Sequence, residues 1–168
     1  WYVSGASSGT HGYAMCGGVS SNSTAGHRTI NKYSHSSDGD ATDHGDTTAD
    51  RSGSAGCTDA PSGYGYVCGG YAPDRIDKDK FAFSSNTTAT DIGDMTVTRA
   101  HCCGSSSATH GYVQGGINGP TFYDVIDRWL YASGGNSSDV GDLTAGRYTE
   151  SSGGSSTTHG YTAGAYNT

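Results

Sequence analysis

Shifted against itself by 48 residues, this chain of 168 keeps the stretch from Tyr33 to Arg51 in register over three copies without a gap. Tyr33, Phe81 and Trp129 form an aromatic column. Behind it run Asp43, Asp91 and Asp139, then Gly45, Gly93 and Gly141, then Asp46, Asp94 and Asp142. Thr48, Thr96 and Thr144 follow, and the column of Arg51, Arg99 and Arg147 ends the block. A shorter phrase recurs four times: "THGYAMCGG" ending at Gly18, "GYGYVCGG" at Gly70, "THGYVQGG" at Gly116 and "THGYTAGA" at Ala165. Repetition at this period means like supersecondary units that bury their faces only by stacking on one another. The spacing drifts between each Gly pair and the next aromatic, and between each Arg and the next phrase. Those stretches are loops, where insertions cost little.

Each unit reads as four short strands. In the third copy these are Ala100 to Ser105, His110 to Gly116, Val125 to Tyr131, and a stretch around Ser138 to Thr144. Along the third, Val125, Asp127, Trp129 and Tyr131 alternate with Ile126, Arg128 and Leu130, the period of a strand. Gly119-Pro120 and Gly134-Gly135-Asn136 supply turns. Helix signals are nearly absent. Four strands in about 40–50 residues is the arithmetic of a propeller blade. The expected fold is therefore all-β: one propeller segment over residues 1–168, with blades at about 2–50, 51–98 and 99–146 and part of a fourth at 147–168.

Composition narrows the partners. The net charge is −7 with only 9 Lys plus Arg, and no basic stripe exists, which speaks against nucleic acid. No apolar run reaches the roughly 20 residues of a membrane span. The 28 Gly sit beside 12 Tyr, 2 Trp and 3 Phe at regular places, which suits short strands and tight turns rather than disorder. The five cysteines contain no C-x-x-C pair and so no zinc signature. Cys57 and Cys68 are expected to face each other across a hairpin turning at Pro61-Ser62-Gly63. The Ser/Thr/Gly-rich surface suggests an extracellular or virion setting.

The order of landmarks resembles a kelch repeat: a strand ending in a Gly pair, a strand carrying an aromatic, a short outer strand, then an Arg opening the next unit. In the middle copy Gly69-Gly70, Phe81 and Arg99 take those places. The wording is similar to kelch-like repeats of marine phage and environmental bacterial proteins, some of them fibre or surface proteins. The resemblance covers the whole chain, with two departures: the first copy is eroded, with His35 where Phe83 and Tyr131 sit and His44 where Ile92 and Val140 sit, and the outer-strand Trp is missing. Ala41, Ala89 and Ser137 lie near the place of the family's outer-strand Trp, so each outer strand is anchored by less apolar area. Kelch propellers usually close with six or seven blades. Three and a half units therefore imply further blades, or other copies of the chain, as partners.

Candidate sites are few. Asp38, Asp40, Asp43 and Asp46 form an oxygen-rich stretch of the kind that takes calcium. In the competing reading Asp43 and Asp46 cap turns and Arg51 pairs with one of the repeated acids, as a buried Arg requires. No other cofactor is expected. His11, His110 and His159 recur with the unit and read as blade parts bonded to a neighbouring loop, against a metal ring. Asn22, Asn86 and Asn136 begin glycosylation sequons. No nucleophile signature is present, so the segment is not expected to be an enzyme. The binding candidates lie in the loops after each Gly pair: Asn22, Arg28, Tyr71, Arg75, Asn118, Phe122 and Tyr123. Their chemistry suits a glycan or a protein surface. The resulting expectation is a structural and recognition module, such as a fibre or surface protein. The alternative is part of a secreted propeller enzyme of the galactose oxidase type whose active site lies outside this segment.

Overall fold

The computed structural model describes residues 2–18, 26–71, 73–147 and 153–164. Every regular element in them is a strand. Three antiparallel four-stranded sheets follow one another along the chain. The first contains β1 (Ser4–Ser7), β2 (His11–Met15), β3 (His27–Ser34) and β4 (Thr42–Arg51). The second contains β5 (Ala55–Asp59), β6 (Tyr64–Cys68), β7 (Asp77–Ala82) and β8 (Thr90–Asp94). The third opens with β9 (Cys103–Ser106) and β10 (His110–Gln114). A small hairpin, β11 (Ile117–Asn118) and β12 (Thr121–Phe122), then occupies what reads in sequence as plain loop. β13 (Val125–Leu130) and β14 (Ser138–Asp142) complete the third sheet. Two further strands, β15 (Gly153–Ser155) and β16 (Gly160–Thr162), pair beside it.

The repeated Asp-x-Gly-Asp marks a β-bulge in each outer strand. Asp77 and Asp79 pair with Asp94 and Asp91, so two residues, Ile92 and Gly93, stand opposite Lys78 alone. Asp142 and Asp139 pair in the same way with Val125 and Asp127. Gly93 adopts φ +110°, a backbone that an L side chain resists, and its N–H donates to Asp91 Oδ1 at 2.8 Å. Gly45 and Gly141 have the same bond to Asp43 and Asp139.

The sheets pack face to face, and the same contacts recur at both junctions. Between the first and second, Tyr13, Met15 and Ile30 meet Val67, Phe81 and Ala89. Between the second and third, Tyr66, Cys68 and Met95 meet Val113, Trp129 and Tyr131. Tyr13 stacks on Phe83 at 4.6 Å, and Tyr66 on Tyr131 at 4.9 Å. The first strands lie side by side: a Cβ on Gly56 would strike the Gly5 carbonyl, one on Gly104 that of Gly56, and one on Gly153 that of Gly104. Only glycine allows so close an approach. A hydroxyl ladder runs beside it, from Ser7 N–H to Thr58 Oγ1, Thr58 N–H to Ser106 Oγ and Ser106 N–H to Ser155 Oγ. These strands line an open cleft of about 460 Å³.

The cysteines are all thiols. Cys57 lies opposite Tyr66, and Cys68 opposite Ala55, so the two cysteines are diagonal rather than facing neighbours. That hairpin closes two residues out of the register expected for them.

Candidate functional site

Two groups of side chains stand out, and they do different work. The first is built by the repeated Thr and Arg. Arg51 and Arg99 are fully buried. Their partners are not the repeated acids of the outer strand but acids of the next sheet's third strand. Arg51 Nη2 donates to Asp77 at 2.7 Å and Asp79 at 2.8 Å, and Arg99 Nη2 to Asp127 at 3.0 Å. Thr48 adds its N–H to Asp79 Oδ2 (2.8 Å) and its hydroxyl to Oδ1 (2.9 Å). Thr96 does the same to Asp127, at 3.0 and 2.6 Å. Thr-x-x-Arg is thus a carboxylate clamp that joins one sheet to the next, and charge-assisted bonds of this kind are the strong ones. Sequence reading missed Asp79 and Asp127 because the first copy holds Asn31 at that place, which hides the column.

The other repeated acids have local roles. Asp43, Asp91 and Asp139 hold the bulge glycines. The Asp46 carbonyl accepts from Ala89 N–H, and the Asp94 carbonyl from Ser137 N–H, both at 2.7 Å across a junction. Asp142, their counterpart, is exposed. Asn86 donates to the Asp43 carbonyl, and Asn136 Oδ1 accepts from Asp94 N–H, so these two sequon amides serve the junctions. Among the described residues no group of three or more His, Cys, Asp or Glu converges as a metal ion would need. His11, His110 and His159 each bond through Nδ1 to the Thr just before them, at 2.8, 2.8 and 2.9 Å. Their partner is their own turn, not a neighbouring loop.

The second group lies at the end of the sheets where the Gly-pair loops and the Arg ends meet. Tyr71 is exposed, and its backbone bridges that of Ser52. Its ring lies 6.5 Å from His101, which in turn meets Tyr2 edge-on at 4.7 Å. His101 and Tyr2 both stand in the left-handed backbone region, at φ +52° and +58°, with Gly53 between them in the repeat. Gly53 N–H donates to the Tyr2 carbonyl, and His101 N–H to that of Gly53, which sets the rings along one edge. Asp74 sits beside this cluster. Burial raises its carboxyl above the ordinary value, and His101 partly opposes that.

Four of the other expected binding residues are drawn into the scaffold. Arg75 Nε is committed to Asp77 Oδ1 at 2.8 Å. Asn118 Nδ2 donates to the Thr98 carbonyl at 3.2 Å. Phe122 is half-buried, its carbonyl close against Gly146. Tyr123 holds the Arg147 N–H through its own carbonyl at 3.0 Å. Arg28, itself exposed, lies 3.4 Å from Asp46, and Asn22 lies outside the described residues. Tyr2 and His101 were missed because they precede their strands and share a column with a glycine.

The chain matches no protein-family model and no curated protein. No helix among the described residues is long and apolar enough to cross a membrane.

Proposed function

We propose that this chain is a kelch-like β-propeller segment serving as a structural and recognition module at an extracellular or virion surface. Two observations support the propeller: the same clamp, ring stack and backbone bonds recur at both sheet junctions, and four inner strands share one cleft. Recognition is assigned to the loop end, and the observation that carries it is the exposed Tyr71 ring beside His101 and Tyr2. Such rings offer flat apolar faces with polar edges, which suit a sugar ring or an adaptable protein contact.

The test is a glycan array and a surface-protein panel probed with the parent chain and with Tyr71→Ala. Tyr71 is exposed, so the variant should keep its thermal midpoint while losing about tenfold or more in binding. Ligand capture that is unchanged in Tyr71→Ala would remove the loop end from the reading. In images of the natural full-length polypeptide, an open stack of sheets instead of a ring would remove the propeller.

A further inference from the structure

The third sheet carries a complete set of junction groups, and among the described residues nothing stands opposite its outer half. Arg147 Nη2 bonds Thr144 Oγ1 at 3.0 Å, as Arg51 bonds Thr48, but among the described residues no carboxylate joins them. Gly45 and Gly93 are each crowded by the next sheet, at the Thr87 carbonyl and at Gly135-Asn136, whereas a Cβ on Gly141 would meet nothing within 4 Å. Tyr112 holds the place of Tyr13 and Tyr66, and among the described residues its ring neighbour is the tilted His110 at 6.3 Å, with no ring stacked on it as Phe83 and Tyr131 stack on those two. Arg147, Thr144, Leu143, Ile126 and Tyr112 line a cleft of about 380 Å³ over this face.

The inner half of the same face is already covered. β15 packs against β9 with Gly153 at the Gly104 carbonyl, and Gly160 lies against Ser105. A whole sheet, such as the first sheet of a second copy, would collide with β15 and β16. Among the described residues, the uncovered place is therefore that of a third and fourth strand along the edge of β16.

The two finished junctions specify what fits there. In each, the third strand presents Asp-x-aromatic-x-aromatic: Asp79, Phe81 and Phe83, or Asp127, Trp129 and Tyr131. The first aromatic pairs with a glycine whose absent side chain makes room for the ring: Gly65 for Phe81, and Gly111 for Trp129. The acid pairs two residues further along, opposite Val67 or Val113. In β16 those places are Gly160 and Thr162.

We propose that the edge of β16 and the open face of the third sheet form a docking site for an extended Asp-x-aromatic-x-aromatic strand. Main-chain bonds to β16 would hold it, Thr144 and Arg147 would clamp its carboxylate, and Tyr112 would stack its second ring. This is strand addition with side-chain specificity. It does not depend on the loop-end reading. The chain's own first sheet offers Asn31 where the acid belongs, so a second copy is the poorer occupant.

The test appends a copy of residues 117–146 to the C-terminus, with the copied Asp127 either kept or changed to Asn. Each form is made in the parent and in Arg147→Gln. The Asp extension should raise the unfolding midpoint above the Asn extension, and Arg147→Gln should erase that difference, a coupling that general stickiness would not produce. An Asp–Asn difference that persists in Arg147→Gln overturns the proposal. Should the extended chains not fold, the unextended chain is titrated with a labelled peptide of residues 125–132 and followed by anisotropy. The Asn peptide should bind about tenfold more weakly, as loss of a charge-assisted bond implies. Equal binding, or none that saturates, also overturns it. So does concentration-dependent self-association of the unextended chain that Arg147→Gln abolishes, since the occupant would then be a second copy.

Discussion

Asp127 accepts from Thr96 N–H, the Thr96 hydroxyl and Arg99, and it is the only acid paired with Arg99 among the described residues. Asp127→Ala would leave a buried guanidinium uncompensated, so chemical denaturation should show a loss of about 3–5 kcal/mol. Asp77→Asn should cost less, because Asp79 still faces Arg51. Its pH dependence has a definite sign. Burial alone would raise the Asp77 carboxyl, but Arg51 and Arg75 outweigh burial and hold it below its ordinary value. Such a group adds stability above its unfolded pKa and loses it as the pH falls through its folded one. The parent should therefore be more stable than Asp77→Asn near neutrality, and stability curves should converge as the pH falls below about 4. Asp79 works in the opposite direction. Burial raises its carboxyl despite Arg51 and Thr48, so its contribution is full at low pH and declines as the pH rises through its folded value. Burial also pushes the Cys16 and Cys102 thiols up to about 11. Native alkylation of both at pH 8 should be slow and should rise steeply toward pH 11, whereas unfolded chain should react quickly at pH 8.

At the scale of the element, the bulge explains why Asp and Gly travel together through the repeat. The Asp side chain holds the Gly N–H, and the Gly backbone lets the outer strand kink so that Thr and Arg reach the next sheet. Gly93 is both left-handed and crowded, with Asn136 Oδ1 at 2.8 Å from where a Cβ would stand. Gly141 is left-handed with open space around it. Gly93→Ala should therefore lose more in urea midpoint than Gly141→Ala. The backbone cost common to both is about 1–3 kcal/mol, and the excess reports the junction contact. Were the two losses equal, the packing of the second sheet's outer strand against the third would need revision.

Among the described residues, only the second sheet is fully covered on both faces, the third being covered by β15 and β16 over its inner half alone. Stability in stacked units is close to a sum of unit and neighbour terms, so the middle unit carries two neighbour terms and the outer ones fewer. Hydrogen exchange should find the amides of β6 and β7 the slowest, with those of β3 and β14 opening earlier. A uniform protection profile across the three sheets would mean that they open as one body.

The all-β architecture was legible in the sequence because a strand's period and its turn residues are local properties, and the 48-residue register repeats them. Strand positions in the third unit and the recurrence of Arg51 and Arg99 follow from that register. The partners of those arginines did not follow from it. Asp79 and Asp127 lie on another strand of another sheet, and one asparagine in the first copy breaks the column that would have revealed them. The same limit applied to Cys57 and Cys68, whose hairpin register is set by side-chain packing. It applied also to Tyr2 and His101, which only the docking of loop against loop brings beside Tyr71. Local conformation is encoded by neighbours along the chain, while the clamps and the ring cluster come from surfaces that meet only after the sheets have stacked.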